Sequence, residues 1–173
     1  MSGADLPYSE PVRLHQVGGG VARSLEPDAA ARARIAKALD LASLDAFAAD
    51  MTLAPSPGGW RLSGRVRAKL AQTCGITLEP LPVEVDAPFT VSLAEAVDED
   101  SEEIVITLDD ESPDLIEGGQ IDLGQYAVEQ LALLLDPFPR KPGAVFEQPE
   151  EPAEESPFAV LKQFKQPDSS GDA

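Results

Sequence analysis

The sequence predicts an α+β fold: an antiparallel β-sheet, open or closed into a barrel, with two main helices packed against it. Three observations carry the prediction. Strand-like alternation recurs between residues 11 and 108 and is clearest at Trp60–Leu70. Two segments, near 28–40 and 122–135, place apolar residues at helical spacing behind an aspartate that can cap them. The 173 residues, 43% hydrophobic and 25% charged, suffice for one core with tails.

Residues 1–10 read as a flexible arm, and 11–146 as a single globular domain. Pro11–Val17 suits a strand with Val12 and Leu14 on one face and Arg13 and His15 on the polar one. Gly18-Gly19-Gly20 comes shortly before Arg23, but no Lys-Ser/Thr pair or later glycine completes a phosphate loop, so the run reads as a turn. Pro27–Leu41 is Ala-rich, with Ile35 and Leu39 inward and Arg32, Arg34 and Lys37 on a solvated face, and predicts a helix.

Residues 43–54 and 60–70 predict a hairpin around the turn Ala54-Pro55-Ser56-Pro57-Gly58-Gly59. In the first strand, Leu44, Ala46 and Ala48 alternate with Asp45, Phe47 and Ala49. In the second, Trp60, Leu62, Gly64, Val66, Ala68 and Leu70 share one face, and Arg61, Arg65, Arg67 and Lys69 line the other. Such a basic stripe suits RNA phosphates or an acidic partner. It equally suits ion pairs with acids of a neighbouring strand such as Glu84 and Asp86.

Ile76–Leu78 and Val83–Leu93 continue the strand pattern, and Pro80, Pro82 and Pro88 mark bends or a sheet edge. Ala94–Glu103 reads as an acidic loop, Glu103–Leu108 as a β-branched strand and Asp109–Gly119 as loop. Asp122–Leu135 is the strongest helix, with Asp122 as N-cap, Gln125 three residues on, and Pro137 and Pro139 as stops. The stretch 147–157 holds five acids and three prolines, which predicts a disordered acidic linker over 147–156. Beyond it, 157–165 predicts a short helix that brings Phe158, Leu161 and Phe164 to one side beside Lys162. This terminal motif is expected to dock on the domain itself or in a partner's groove, ahead of a disordered tail at 166–173.

Charge is distributed unevenly. The chain carries 13 basic and 31 acidic residues, a net −18. Residues 1–69 hold 9 basic and 7 acidic side chains, and 70–139 hold 17 acids with no Lys or Arg. Bulk basicity therefore cannot attract a polyanion, and any RNA contact has to come from the first part. One Cys and one His exclude a disulfide framework, multi-thiolate zinc and His-rich metal sites. The acids Asp98, Glu99, Asp100, Glu102 and Glu103 lack the spacing of a calcium loop. Cys74 has no partnered histidine, and neither a Gly-x-Ser-x-Gly nor a His-Glu-x-x-His element occurs. No enzyme, cofactor or metal is expected. The N-terminus lacks a signal-peptide pattern and no apolar run approaches 18 residues, so the cytoplasm is the expected location, with no membrane partner.

Three stretches in order carry a resemblance. They are Thr73-Cys74-Gly75-Ile76-Thr77-Leu78-Glu79-Pro80-Leu81 leading to Phe89-Thr90-Val91; Ile121-Asp122-Leu123-Gly124 through to Asp136-Pro137-Phe138-Pro139-Arg140-Lys141-Pro142-Gly143; and Pro157-Phe158-Ala159-Val160-Leu161-Lys162-Gln163-Phe164-Lys165. Together, over roughly residues 60–165, they resemble the YceD family, the large ribosomal RNA subunit accumulation proteins, and look most like its alphaproteobacterial branch. The resemblance implies a non-enzymatic bacterial factor for accumulation or processing of large-subunit (23S) rRNA. Its implied partners are that rRNA, pre-ribosomal particles or basic ribosomal proteins. A protein adaptor or chaperone-like module that never touches RNA is the alternative. Other family members carry Cys-x-x-Cys at the first stretch; here Cys74 holds the first position and Thr77 the second, so no thiolate-bound metal is carried over.

Overall fold

The computed structural model describes residues 6–95 and 113–146. The expected strand at 103–108, most of the acidic loop before it, the linker and the terminal motif lie outside the described residues. The elements run β1 (Pro11–Arg13), a 3-10 turn (Leu14–Gln16), β2 (Val21–Leu25), α1 (Ala29–Ala38), β3 (Ser43–Ser56), β4 (Gly59–Thr73), β5 (Pro80–Glu95), β6 (Asp114–Ile116), β7 (Gln120–Asp122) and α2 (Leu123–Leu133).

The main sheet has the order β2-β3-β4-β5-β6 and does not close, so the barrel alternative falls. Its pairings are antiparallel except β5 with β6, and β1 and β7 form a separate two-stranded sheet. The β3–β4 hairpin turns on two residues, Pro57-Gly58: proline presets its own φ, and Gly58 supplies the left-handed φ of +85° that the second position requires.

The core lies on one face of this sheet. Leu53, Leu62, Val66 and Leu93 are buried there with Ile35 of α1 and with Leu123, Ala127 and Leu131 of α2. The face of β4 expected to be apolar is the core face. On β3 the expected alternation breaks at Asp45, which has no partner in the register between Leu44 and Ala46. The extra residue is a β-bulge that reverses the side-chain parity. It lets Leu44 and Phe47, three apart, both point into the core, and it leaves Ala46 and Ala48 on the outer face.

β5 runs unbroken through three prolines. In register, Pro80, Pro82 and Pro88 face Thr73, Ala71 and Arg65. Having no N–H to give β4, they can occupy only positions whose backbone points to the far edge. All three are even-numbered, as that geometry demands, and among the described residues the far side of 80–92 is unpaired.

α1 begins one residue after Asp28, whose carboxylate accepts the Ala31 N–H at 2.7 Å. α2 begins after Asp122, which accepts the Gln125 N–H at 3.0 Å. Asp122 also receives the Ser9 hydroxyl and the Glu10 N–H, so it ties residues 9 and 10 to the helix start. Asp122→Ala removes the cap and both ties. It is expected to cost about 1–2 kcal/mol in urea unfolding, whereas Asp122→Asn, which keeps an acceptor, costs less.

The expected strand over 11–17 stops at Arg13. The Leu14 N–H is taken by Gly119 O, and the chain coils through the 3-10 turn, with His15 exposed on it. Ile76–Leu78, also expected as strand, is a turn, for a reason that lies at Cys74.

Candidate functional site

Outward of the core, the middle of the sheet has no covering element among the described residues. Its outer face presents Ala46, Ala48, Asp50 and Thr52 from β3, the basic stripe from β4, and Glu84, Asp86, Thr90 and Ser92 from β5. Register decides how those charges meet. Lys69 stands directly opposite Glu84, and its Nζ lies 3.4 Å from Glu84 Oε1. Arg65 faces Pro88, so it reaches diagonally to Asp86, Nε to Oδ1 at 2.9 Å. Arg67 turns the other way, past Ala48, and pairs with Asp50 of β3 at 2.5 Å. The other oxygen of Asp50 accepts the Ser24 hydroxyl of β2.

The stripe is therefore interleaved with acids, as the neighbouring-strand alternative anticipated for Glu84 and Asp86. Arg61, between Ala54 and Ser92, has no ion pair among the described residues. The six paired side chains are 46% to 78% exposed. Exposed pairs of this kind contribute about 0.2–1 kcal/mol each, so the cations are poised rather than locked. Among the described residues no aromatic side chain stands on the outer face: Phe47, Trp60 and Phe89 belong to the core face. The surface can thus meet charge but has no ring on which a base could stack. Where the alanines leave the floor low, an open groove of about 930 Å³ runs between Glu26 and Arg32 on one side and Glu84 and Asp86 on the other.

A second constellation lies at the far end of β4. Cys74, fully buried, opens a tight turn in which its N–H donates to Glu79 O and its carbonyl accepts the Leu78 N–H. The backbone N–H groups of Thr77 and Lys141 donate to Sγ at 3.4 and 3.3 Å. This is why 76–78 cannot extend: the chain folds back on the sulfur, and Leu78 takes a left-handed φ of +59°. Further bonds fix the turn to the segment after α2. Gly75 N–H donates to Pro139 O, the buried Gln72 amide donates to Asp136 O at 2.8 Å, and Lys141 Nζ pairs with Glu79 at 2.7 Å.

The Thr77 side chain, followed by the N–H groups of Thr77, Lys141 and Ile76, holds the Cys74 thiol down at about 6. The Thr77 hydroxyl has one proton and donates it to Glu79 at 3.2 Å, so the backbone donors are the lasting ones. The same ion pair holds Glu79 below the usual carboxylate range and raises Lys141. As a thiolate-metal centre the turn does not fit: it offers one sulfur, and its Cys-x-x-Cys partner position is a threonine already bonded to Glu79. Among the described residues no cluster of His, Cys, Asp and Glu could hold a metal ion, and no helix is long and apolar enough to cross a membrane. The terminal residues Phe158, Leu161, Lys162 and Phe164 lie outside the described residues.

No curated protein and no solved structure matches the chain. One family does, described as large ribosomal RNA subunit accumulation protein YceD, over residues 62–165. That span takes in the stripe from Leu62 onward, the Cys74 turn, α2 and the terminal motif, more than half the chain, and the protein belongs to the YceD family.

Proposed function

We propose that the chain acts by binding, without catalysis, in the accumulation of large-subunit (23S) rRNA, as a factor that engages that rRNA or the proteins of pre-ribosomal particles. Family membership supplies the process. The observation that carries the mode of action is the uncovered outer sheet face. There Arg61, Arg65, Arg67 and Lys69 stand among Asp45, Asp50, Glu84 and Asp86, a cluster of cations on a chain of net −18. Because exposed pairs are weak, each cation can exchange its carboxylate for a partner's phosphate or carboxylate at little cost. The terminal residues Phe158, Leu161, Lys162 and Phe164 serve in this reading as a second contact. The acid-rich remainder complements basic ribosomal proteins and repels free RNA.

Replacing the four cations by Glu would set like charges across the strands and unsettle the sheet. Glutamine is the cleaner probe. The Arg61, Arg65, Arg67 and Lys69 to Gln variant is expected to fold, to lose co-sedimentation with large-subunit precursors, and to lower the large-to-small rRNA ratio in cells. Full co-sedimentation of a folded variant would remove the outer face from the mechanism. Three of the four cations already face a carboxylate, which favours a second reading, a protein-only adaptor. RNase treatment separates the two: partners retained equally well after RNA removal favour the adaptor.

A further inference from the structure

Cations outside the stripe are not all compensated. Between β1, the 3-10 turn and β2 lies a notch of about 340 Å³, walled by Arg13, Gln16, Arg23 and the backbone at Gly20 over Val12 and Val21. Neither arginine has an ion pair among the described residues; Arg23 donates only to the neighbouring Ala22 O. Among the described residues no carboxylate lines the notch, whereas the walls of four other concavities each hold at least one. Asp122, opposite Pro11 in the β1–β7 pairing, already accepts bonds from Ser9, Glu10 and Gln125.

We propose that this notch binds an RNA phosphodiester through Arg13 and Arg23. The assignment rests on the reading of the chain as a factor for rRNA-containing particles, and it names where RNA is touched. A phosphate approaching the stripe meets Asp50, Glu84 and Asp86 together with the cations; one approaching the notch meets two guanidinium groups alone. Guanidinium forks match phosphate oxygens in pairs. The glycine turn makes the approach possible. Gly20 sits at φ +115°, and a side chain there would lie 2.8 Å from Leu53 O, so that wall stays bare backbone. Among the described residues no aromatic lines the notch, so it grips backbone and reads no sequence. Selection of the right rRNA then belongs to the protein contacts of the outer face.

The test uses the full chain and a short fluorescent single-stranded RNA, followed by anisotropy across a salt series. Arg13→Gln with Arg23→Gln is expected to weaken binding about tenfold and to flatten the log–log salt slope by about 1.4, the share of two single-strand phosphate contacts. Arg34→Gln with Lys37→Gln, the same charge change on α1, is expected to leave the slope unchanged. Equal losses in both variants, or no RNA binding by the parent chain, overturn the proposal. Inorganic phosphate added as competitor distinguishes the source. Displacement of RNA by phosphate beyond that by chloride at matched ionic strength, lost in the Arg13→Gln with Arg23→Gln variant, supports the contact; phosphate that binds at the two arginines without displacing RNA makes the notch a free-phosphate site and sinks the RNA assignment. In cells, normal 23S rRNA with the notch variant but a deficit on gene deletion overturns the notch and leaves the family role standing. Normal 23S rRNA on deletion overturns the underlying reading itself.

Discussion

Gly64→Val is expected to destabilise the domain by about 3 kcal/mol, enough to remove much of the stability of a protein this size. Gly64 sits mid-strand in β4 on the core face, between Met51 of β3 and Phe89 of β5. A Cβ built there would lie 2.2 Å from Asp50 O, 3.0 Å from the Phe89 ring and 3.1 Å from the Met51 Cα. Two of those three neighbours are backbone atoms of a paired strand, so relief requires parting β3 from β4. The cost falls on both faces, because Asp50 anchors Arg67 and Ser24 on the outer side. Gly19→Val is the control: nothing lies within 4 Å of its Cβ position and its φ is not left-handed. It should shift the urea midpoint by less than the equivalent of about 0.5 kcal/mol. A Gly64→Val protein that unfolds at the parent's urea concentration would mean the β3–β4 packing is looser than this geometry.

Gly64 also shows what one sequence can and cannot reveal. Its place in the alternation of β4 was legible, because a half-buried strand writes a period of two. The Phe89 ring that closes over it was not, since cross-strand register is a long-range fact. The same division runs through the fold. Asp28 and Asp122 announce their helices because a cap is a local bond. β6 and β7, three residues each, exist only through their partners and leave no pattern. β2 hides because Ala22, Arg23 and Ser24 are exposed, leaving Val21 and Leu25 as its only apolar cues. On β3, a single unpaired residue at Asp45 inverts the expected faces, and nothing in the residue type signals it.

The site divides the same way. The stripe itself was legible, and so was the possibility of pairing with Glu84 and Asp86. That Arg67 would instead take Asp50 depends on the register beyond the bulge. The Arg13–Arg23 notch could not be read at all: its two cations belong to different sheets, brought together by a glycine turn that matches no motif. Terminal residues 157–165 were legible only as a pattern. Which charges lack a neighbour is thus a property of the folded sheet, set by register and not by residue type.

The Cys74 turn makes stability depend on pH in a defined direction. The folded thiol is held at about 6 against 9.0 for the free group. A group with a lowered folded pKa favours the folded state once it is ionised. The contribution is fully present above 9, shrinks as pH falls, and is gone below about 6. The melting midpoint is therefore expected to climb from pH 6 to pH 9. The two charged groups that face the turn do not titrate in this window: Glu79 is lowered from 4.5 and Lys141 is raised from 10.5. Cys74→Ala is expected to abolish the climb and to lower the midpoint most at the alkaline end, because the Thr77 and Lys141 N–H groups lose their acceptor. Lys141→Met keeps both backbone donors while removing the ion pair with Glu79, so it should lower the midpoint and preserve the slope. A flat profile in the parent chain would mean that the buried thiol stays protonated and that the turn is held by Gln72, Gly75 and the ion pair alone. An unchanged profile in Cys74→Ala would trace the dependence to another group. Added zinc should shift neither midpoint nor slope, since the turn offers one sulfur and no second thiolate or imidazole among the described residues to complete a site. A zinc-induced rise in the midpoint that disappears in Cys74→Ala would overturn the metal-free description of this turn.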